Sequence, residues 1–326
     1  MNNPTPDTRQ WDQFWQSGRT SCCSDHDGSA NAEIIRGLWT EFFGSLGDDR
    51  RLLDLCTGNG AVVNIALECA GKSGIRITAC GVDSASIAPT ARLERNRCAD
   101  PLFIRASVAA LPFEDCCFDT ITSQFGIEYT ALEQAIAEAL RVLSSGGKGM
   151  FVTHAHGGVT ATDARAELAD IDELQQQIRL FPAAQAALER VCAVERTTCP
   201  PTPAQLAAAR SAYEAFRQRV ERVRGDWRKR AASAVFRDAG DILRHTFQNR
   251  HAYPVAVLVD KVRETEQSVI LHRDRLQALV DSALEQDDCE QIVSACRRQG
   301  VSACEFSPVV AADRAGQLAW AIRLRK

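Results

Sequence analysis

"LLDLCTGNGAVVNIAL" occupies residues 52–67. An apolar run leads into the carboxylate of Asp54 and a Gly-Asn-Gly turn, and a second apolar run with helical spacing follows. This order predicts a buried strand over 51–56, a tight loop, and a helix over 60–70. The glycines serve either the geometry of a strand-to-helix joint alone or a ligand held against the bend. A dinucleotide loop needs G-x-G-x-x-G so that the helix packs close beneath a pyrophosphate, and here Val63 stands in the place of the third glycine. A carboxylate just before the turn also has the wrong sign for a phosphate. A cationic or zwitterionic ligand suits it better.

Outward from this stretch, strands are expected at 75–82 ("IRITACGV"), 102–105, 118–123 and 148–155 ("KGMFVTHA"). Helices are expected at 86–97 and at 130–143, the latter ending at Gly146-Gly147. Strands alternating with helices of this length predict an α/β fold with a doubly wound, mostly parallel sheet and a crevice at the carboxyl ends of its strands. Beyond Gly157-Gly158 the strand signals stop. Leu168, Ile171, Leu174 and Ile178 have helical spacing up to a break at Pro182, and "CPPTP" at 199–203 is a sharp turn. Leu206, Tyr213, Phe216, Val220, Val223 and Trp227 then keep the three-four spacing of a helix with one packed seam, and 255–283 is helical again. The alternation resumes with a helix at 289–299 and strands at 301–309 and 317–325, which brings the sheet to seven strands. The expected organisation is therefore a helical cap at 1–45, a core at 46–157, a large helical insertion at 158–283 after the fifth strand, and a return to the core at 284–326.

Composition narrows the class without naming it. The chain has 326 residues, 45% hydrophobic and 25% charged, with a net charge of −4, so no global field favours nucleic acid or an anionic membrane as partner. No run of eighteen apolar residues is present and "MNNPTPDTRQWDQFW" has no apolar signal core, so a cytoplasmic location is expected. The thirteen cysteines include no C-x-x-C pair, so no metal site is expected, and Cys56 and Cys80 lie in apolar runs as small hydrophobes.

A second acid, Asp83 in "CGVDSAS", ends the next strand some twenty residues beyond the glycines. An acid there accepts hydrogen bonds from ribose hydroxyls, or else caps the following helix. With the loop, it implies a ribose-containing ligand that lacks a pyrophosphate. Downstream come "LPFEDCCFDTITSQFGIEY" and "EALRVLSSGGKGMFVTH". In their order and spacing across 50–157, these four pieces resemble the class I, Rossmann-like S-adenosylmethionine-dependent methyltransferases that act on small molecules.

The resemblance implies a set of cofactor residues. Asp54 and the backbone of Cys56, Thr57, Gly58, Asn59 and Gly60 correspond to the loop that takes the methionine moiety, the carboxylate lying near its ammonium group. Asp83 corresponds to the ribose ligand and Ser84 to its neighbour beside the adenine. Ser107 and Val108 correspond to the adenine edge, and Gln124 and Phe125 to residues near the sulfonium. Relatives usually carry glycine at the position of Cys56 and often Asp at that of Ser107. Many also begin with an aromatic helix closing over the cofactor, and Trp11, Phe14 and Trp15 have helical spacing; these rings otherwise cap the sheet.

Methyl transfer is an in-line displacement at carbon, and the protein mainly supplies alignment. A general base is needed only when the acceptor must lose a proton. Glu128, Tyr129, His154 and His156 stand near strand ends; alternation puts both histidines on one face, and histidine titrates near neutrality. Each also has a structural alternative, a helix cap for Glu128 and a hydrogen-bonded core position for the histidines. The insertion is expected to act as a lid that selects the acceptor or as a dimerisation surface. Its basic stretch 217–230 reads as a solvated face. The expected function is methylation of a small-molecule acceptor, with S-adenosyl-L-homocysteine as product. A non-catalytic, regulatory binder of the same cofactor and an NAD-type oxidoreductase are the alternatives.

Overall fold

The computed structural model describes residues 8–19, 29–89, 100–226, 231–312 and 316–326. Residue contacts divide the chain into two compact units, Met1–Thr162 with Ala278–Lys326, and Asp163–Gln277. The chain begins with helices α1 (Arg9–Gln16) and α2 (Ala30–Gly44), then β1 (Arg50–Leu55), α3 (Ala61–Ser73), β2 (Ile77–Asp83) and β3 (Leu102–Arg105). It continues through β4 (Phe118–Gln124), α4 (Leu132–Val142) and β5 (Leu143–His154). Five helices follow, α5 (Val159–Asp172), α6 (Leu180–Glu195), α7 (Pro203–Asp226), α8 (Ser233–Gln248) and α9 (Val255–Ser282). The last elements are α10 (Gln286–Arg298), β6 (Ala303–Val310) and β7 (Gln317–Arg325).

The seven strands form one sheet in the order β3-β2-β1-β4-β5-β7-β6. Leu52, Leu53 and Leu55 of β1 are all fully buried, which is why this strand reads as a near-continuous apolar run. Alternation splits them between two layers. Leu53 and Leu55 cluster with Ile136 and Leu140 of α4 and Ile292 of α10, whereas Leu52 clusters with Trp39 and Phe43 of α2 and Val63 and Leu67 of α3. Helices therefore cover both faces. The strand order reverses between β1 and β4, and the glycine loop leaves β1 at this switch point, where open α/β sheets take ligands.

Four expectations need correction. The sheet is mixed: β3, β2, β1, β4 and β5 pair in parallel, but β7 pairs antiparallel with both β5 and β6, and the link from Val310 to Gln317 is too short for a crossover between β6 and β7. Residues 86–89 form no helical turn, and 90–97 lie outside the described residues. Gly146 and Gly147 lie inside β5 instead of ending α4, since buried Leu143 already pairs with Phe118 and the ladder resumes, after an irregularity, at Lys148. In the second unit the break falls at Arg179, in the left-handed region, and Pro182 sits in the first turn of α6, where no backbone N–H is required.

The second unit has its own core, in which Phe181 and Leu188 of α6 meet Phe216 and Val223 of α7, Leu243 of α8 and Val262 of α9. The seam expected along α7 holds at Phe216 and Val223, but Leu206 and Tyr213 are 49% and 47% exposed. Trp227 lies outside the described residues. Among the described residues no helix is long and apolar enough to cross a membrane.

Candidate cofactor site

The loop after β1 takes an alternating backbone, with Cys56, Gly58 and Gly60 at φ values of 53°, 52° and 84°. Glycine adopts this region freely, and a side chain there costs about 1–2 kcal/mol. Cys56 tolerates it because Gly126 faces it: a Cβ at Gly126 would lie 2.3 Å from the Cys56 Cβ. The Cys56 side chain is thus accommodated by a missing side chain after β4.

Asp54 is buried and acts inside the loop. Thr57 Oγ1 donates to its Oδ2 at 2.7 Å and Thr122 Oγ1 to its Oδ1 at 2.7 Å. Burial pushes its pKa up to about 7, against the pull of these two hydroxyls. Asp83 ties the loop to β2, its Oδ2 accepting from Gly58 N at 2.8 Å and its Oδ1 from Ala85 N at 2.9 Å. Burial raises its pKa, with the backbone N–H groups opposing. Burial, and then the carboxylates of Asp83, Glu128 and Asp54, hold the Cys56 thiol well above its usual range. Three acids thus bear on one loop.

The N-terminal helix closes on the same loop. Asn59 Nδ2 donates to Trp15 O at 2.9 Å and to Arg19 O at 2.7 Å, one carbonyl in the last turn of α1 and one just beyond it. At its start, Asp12 Oδ1 accepts from Ser86 N at 2.6 Å. The Trp15 indole lies directly over Gly58, where a Cβ would come within 2.4 Å of the ring. Trp11 stacks on Trp15 and meets the edge of Tyr129 at 5.2 Å.

The remaining expected residues fall into two groups. His154 is fully buried, its Nδ1 lies 2.7 Å from Glu128 Oε1, and the same oxygen accepts from its backbone N. Its ring lies 4.4 Å from that of Phe125 and 5.8 Å from that of Tyr129. Glu128 is therefore a partner of His154 and not a cap of α4, and its Oε2 is buried with no hydrogen-bond partner. His156 stands apart: it is exposed, with Nδ1 3.5 Å from Glu285 Oε1. The shared face expected for the two histidines is lost because β5 ends at His154 and the chain turns at Ala155–Gly158. Gln124 is turned toward α2, accepting from the Trp39 indole. Ser84 and Ser107 are exposed, and Val108 is buried. Sequence reading missed Asp12, Thr122 and Gly126; only Thr122 carries a signal, a hydroxyl in an otherwise apolar strand beside Asp54.

The donor set suits a nucleoside cation. A carboxylate has about four acceptor positions, so Asp83 keeps capacity for ribose hydroxyls after its two backbone bonds. The unpartnered Glu128 oxygen and the concentration of acids favour a positive ligand. Among the described residues no cluster of three or more His, Cys, Asp or Glu could hold a metal ion.

A doubly wound sheet with a glycine loop at its switch point, clasped between Asp54 of β1 and Asp83 of β2, is the arrangement in which open α/β sheets take ligands. Residues 53–151 match the family model described as "Methyltransferase domain". Ubiquinone/menaquinone biosynthesis C-methyltransferase UbiE of Methylobacterium nodulans is 34% identical over 115 residues, 35% of this chain and 45% of its own length. Demethylmenaquinone methyltransferase of Thermus thermophilus is 33% identical over 100 residues, 30% of this chain and 44% of its own length. The chain thus spans somewhat less than half the length of these curated relatives. Among solved structures, an S-adenosylmethionine-dependent methyltransferase from Mesorhizobium loti aligns over 40% of this chain and 56% of its own at 20% identity, with a TM-score of 0.28.

Proposed function

We propose that the chain is an S-adenosylmethionine-dependent methyltransferase acting on a small-molecule acceptor. The observation that carries this reading is the Cys56–Gly60 loop, bonded through Thr57 to Asp54 and through Gly58 to Asp83, inside the segment that matches the methyltransferase family. Asp83 would hold the ribose and the loop backbone the methionine end. The acids around Cys56 would offset the ligand's positive charge. The cofactor, when bound, supplies a methyl group on a cationic sulfur, whose charge disappears as the carbon–sulfur bond breaks. Around it, Phe125 and the α1 aromatics would exclude water.

Proton removal, where the acceptor needs it, would fall to His154. With Nδ1 protonated and held by Glu128, the imidazole presents Nε2 as its basic nitrogen, and Glu128 steadies the charge gained. The names of the curated relatives make quinone-type ring acceptors the first class to test.

The experiment is calorimetry with S-adenosyl-L-homocysteine and NAD side by side, followed by incubation of the protein and cofactor with cell extract under mass-spectrometric detection. Micromolar binding of the nucleoside and a metabolite heavier by one methyl group are expected. Asp83→Ala should weaken binding by about 1.5–3 kcal/mol, the range for hydrogen bonds to charged groups. Tight NAD binding without homocysteine-nucleoside binding would overturn the proposal. A second reading, a regulatory binder without catalysis, is favoured by the complete burial of His154. Nucleoside binding with no methylated metabolite would select it.

A further inference from the structure

The helical unit Asp163–Gln277 contains a cavity of about 680 Å³, within the usual size range of small-molecule sites. Its floor is aromatic. Phe216 of α7 and Phe247 of α8 stack with ring centroids 4.6 Å apart, and Tyr213, 47% exposed, lies 6.1 Å from Phe247. Val191 and Val194 of α6 add an aliphatic wall. Phe216 and Phe247 are seated in the unit's own core, and Tyr213 is the exposed ring of the three.

The charge on the lining is predominantly positive. Arg210, Arg217, Arg244 and Arg250 line the cavity against a single carboxylate, Glu195, which is already bound by Arg250 at 2.9 Å. Arg217 is paired with Glu214 and Arg244 with Asp241, and neither of these acids lines the cavity. Arg210 makes no hydrogen bond or ion pair with any described residue. Guanidinium groups around an aromatic floor suit a ligand with an apolar body and an anionic head, since the planar fork recognises carboxylate, sulfonate or phosphate oxygens in pairs.

Gly240 adds an independent mark. It lines the cavity from the middle of α8, and a Cβ placed there meets no heavy atom within 4 Å. Glycine is unfavourable inside a helix, so no local propensity accounts for it, and its effect is to leave the cavity open. We infer that this cavity is a binding site for an amphipathic organic anion, with the apolar body on Phe216, Phe247 and Tyr213 and the acid head on Arg210 and its neighbouring arginines. The site lies wholly within the helical unit and stands independently of methyl transfer.

The test uses the full chain and 8-anilinonaphthalene-1-sulfonate, with N-phenyl-1-naphthylamine as its uncharged counterpart, both followed by fluorescence. Saturable binding of the sulfonate at one site per chain is expected, with the uncharged compound at least tenfold weaker. Gly240→Leu should abolish binding by filling the space, and leucine suits a helix better than glycine, so the fold should be kept. Arg210→Ala should weaken the sulfonate about tenfold and leave the uncharged compound unchanged, the amount expected for one charge-assisted contact. Both variants should bind S-adenosyl-L-homocysteine like the parent, so a failed methyltransferase reading would show separately. Equal affinity for the two probes, no saturation, or parental sulfonate binding in both variants would overturn the inference. So would a change of oligomeric state in both variants with probe binding unaltered, since the face would then belong to a second copy of the chain.

Discussion

Cys56 and Gly126 form a complementary pair: one places a side chain in a left-handed bend, and the other gives up a side chain to admit it. A methyl group at Gly126 has nowhere to go, because it would meet the Cys56 Cβ at 2.3 Å. Gly126→Ala should lower stability by about 1–3 kcal/mol in denaturant unfolding, the cost of overpacking. Adding Cys56→Gly should recover most of that loss; simple additivity in the double-mutant cycle would refute the pairing. Asp54 gives a second test at this scale. Its carboxyl is raised by burial from 3.8 to about 7, so the folded state holds a proton that the unfolded chain gives up at lower pH. Its contribution is full below pH 3.8 and is lost as pH rises toward about 7. Asp54→Asn removes this titration, while Thr57 and Thr122 can still bond an amide. Urea unfolding should show parent stability falling relative to the variant across that window, by an amount on the order of 3–4 kcal/mol. Parallel pH profiles would place the titration elsewhere.

Single elements place these residues against one another. The helix α1 is short, eight residues, and an isolated helix of that length does not persist in water. It is held by Asp12 at its start, by Asn59 at its end, and by Trp15 against the glycine loop. Asn59→Ala leaves the carbonyls of Trp15, in the last turn, and Arg19, beyond it, without that donor. Hydrogen exchange across residues 9–19 should then speed up about tenfold or more, while β1 and β4 keep their protection. Unchanged exchange would mean that aromatic packing alone holds the helix. The strand β5 shows how an element decides chemistry: it ends at His154, so His154 faces Glu128 while His156, two residues on, is in solvent.

Across the whole molecule, the insertion leaves and re-enters the first unit at one place. Ala155 and Leu284 form a parallel bridge, with Leu284 N donating to His154 O at 2.9 Å and His156 N donating to Leu284 O at 2.9 Å. The ends of the core are thus adjacent without the helices between them. Replacing residues 163–277 by a short Gly/Ser linker should give a folded chain that still binds S-adenosyl-L-homocysteine, measured by cooperative melting and calorimetry. A chain that fails to melt cooperatively would show that the two units fold as one.

Much of the core was legible because its signals are local. The strand–turn–helix of 52–67 follows from apolar periodicity and from glycines in a left-handed bend, and Asp54 and Asp83 declare themselves by ending buried strands. Other features depend on residues far apart in sequence. The antiparallel run of β7, the loss of the shared histidine face, the Gly126 space for Cys56 and the Asn59 clasp on α1 each join groups whose distance the one-dimensional pattern does not encode. Periodicity specifies which face of an element is apolar; only packing decides which neighbour fills it.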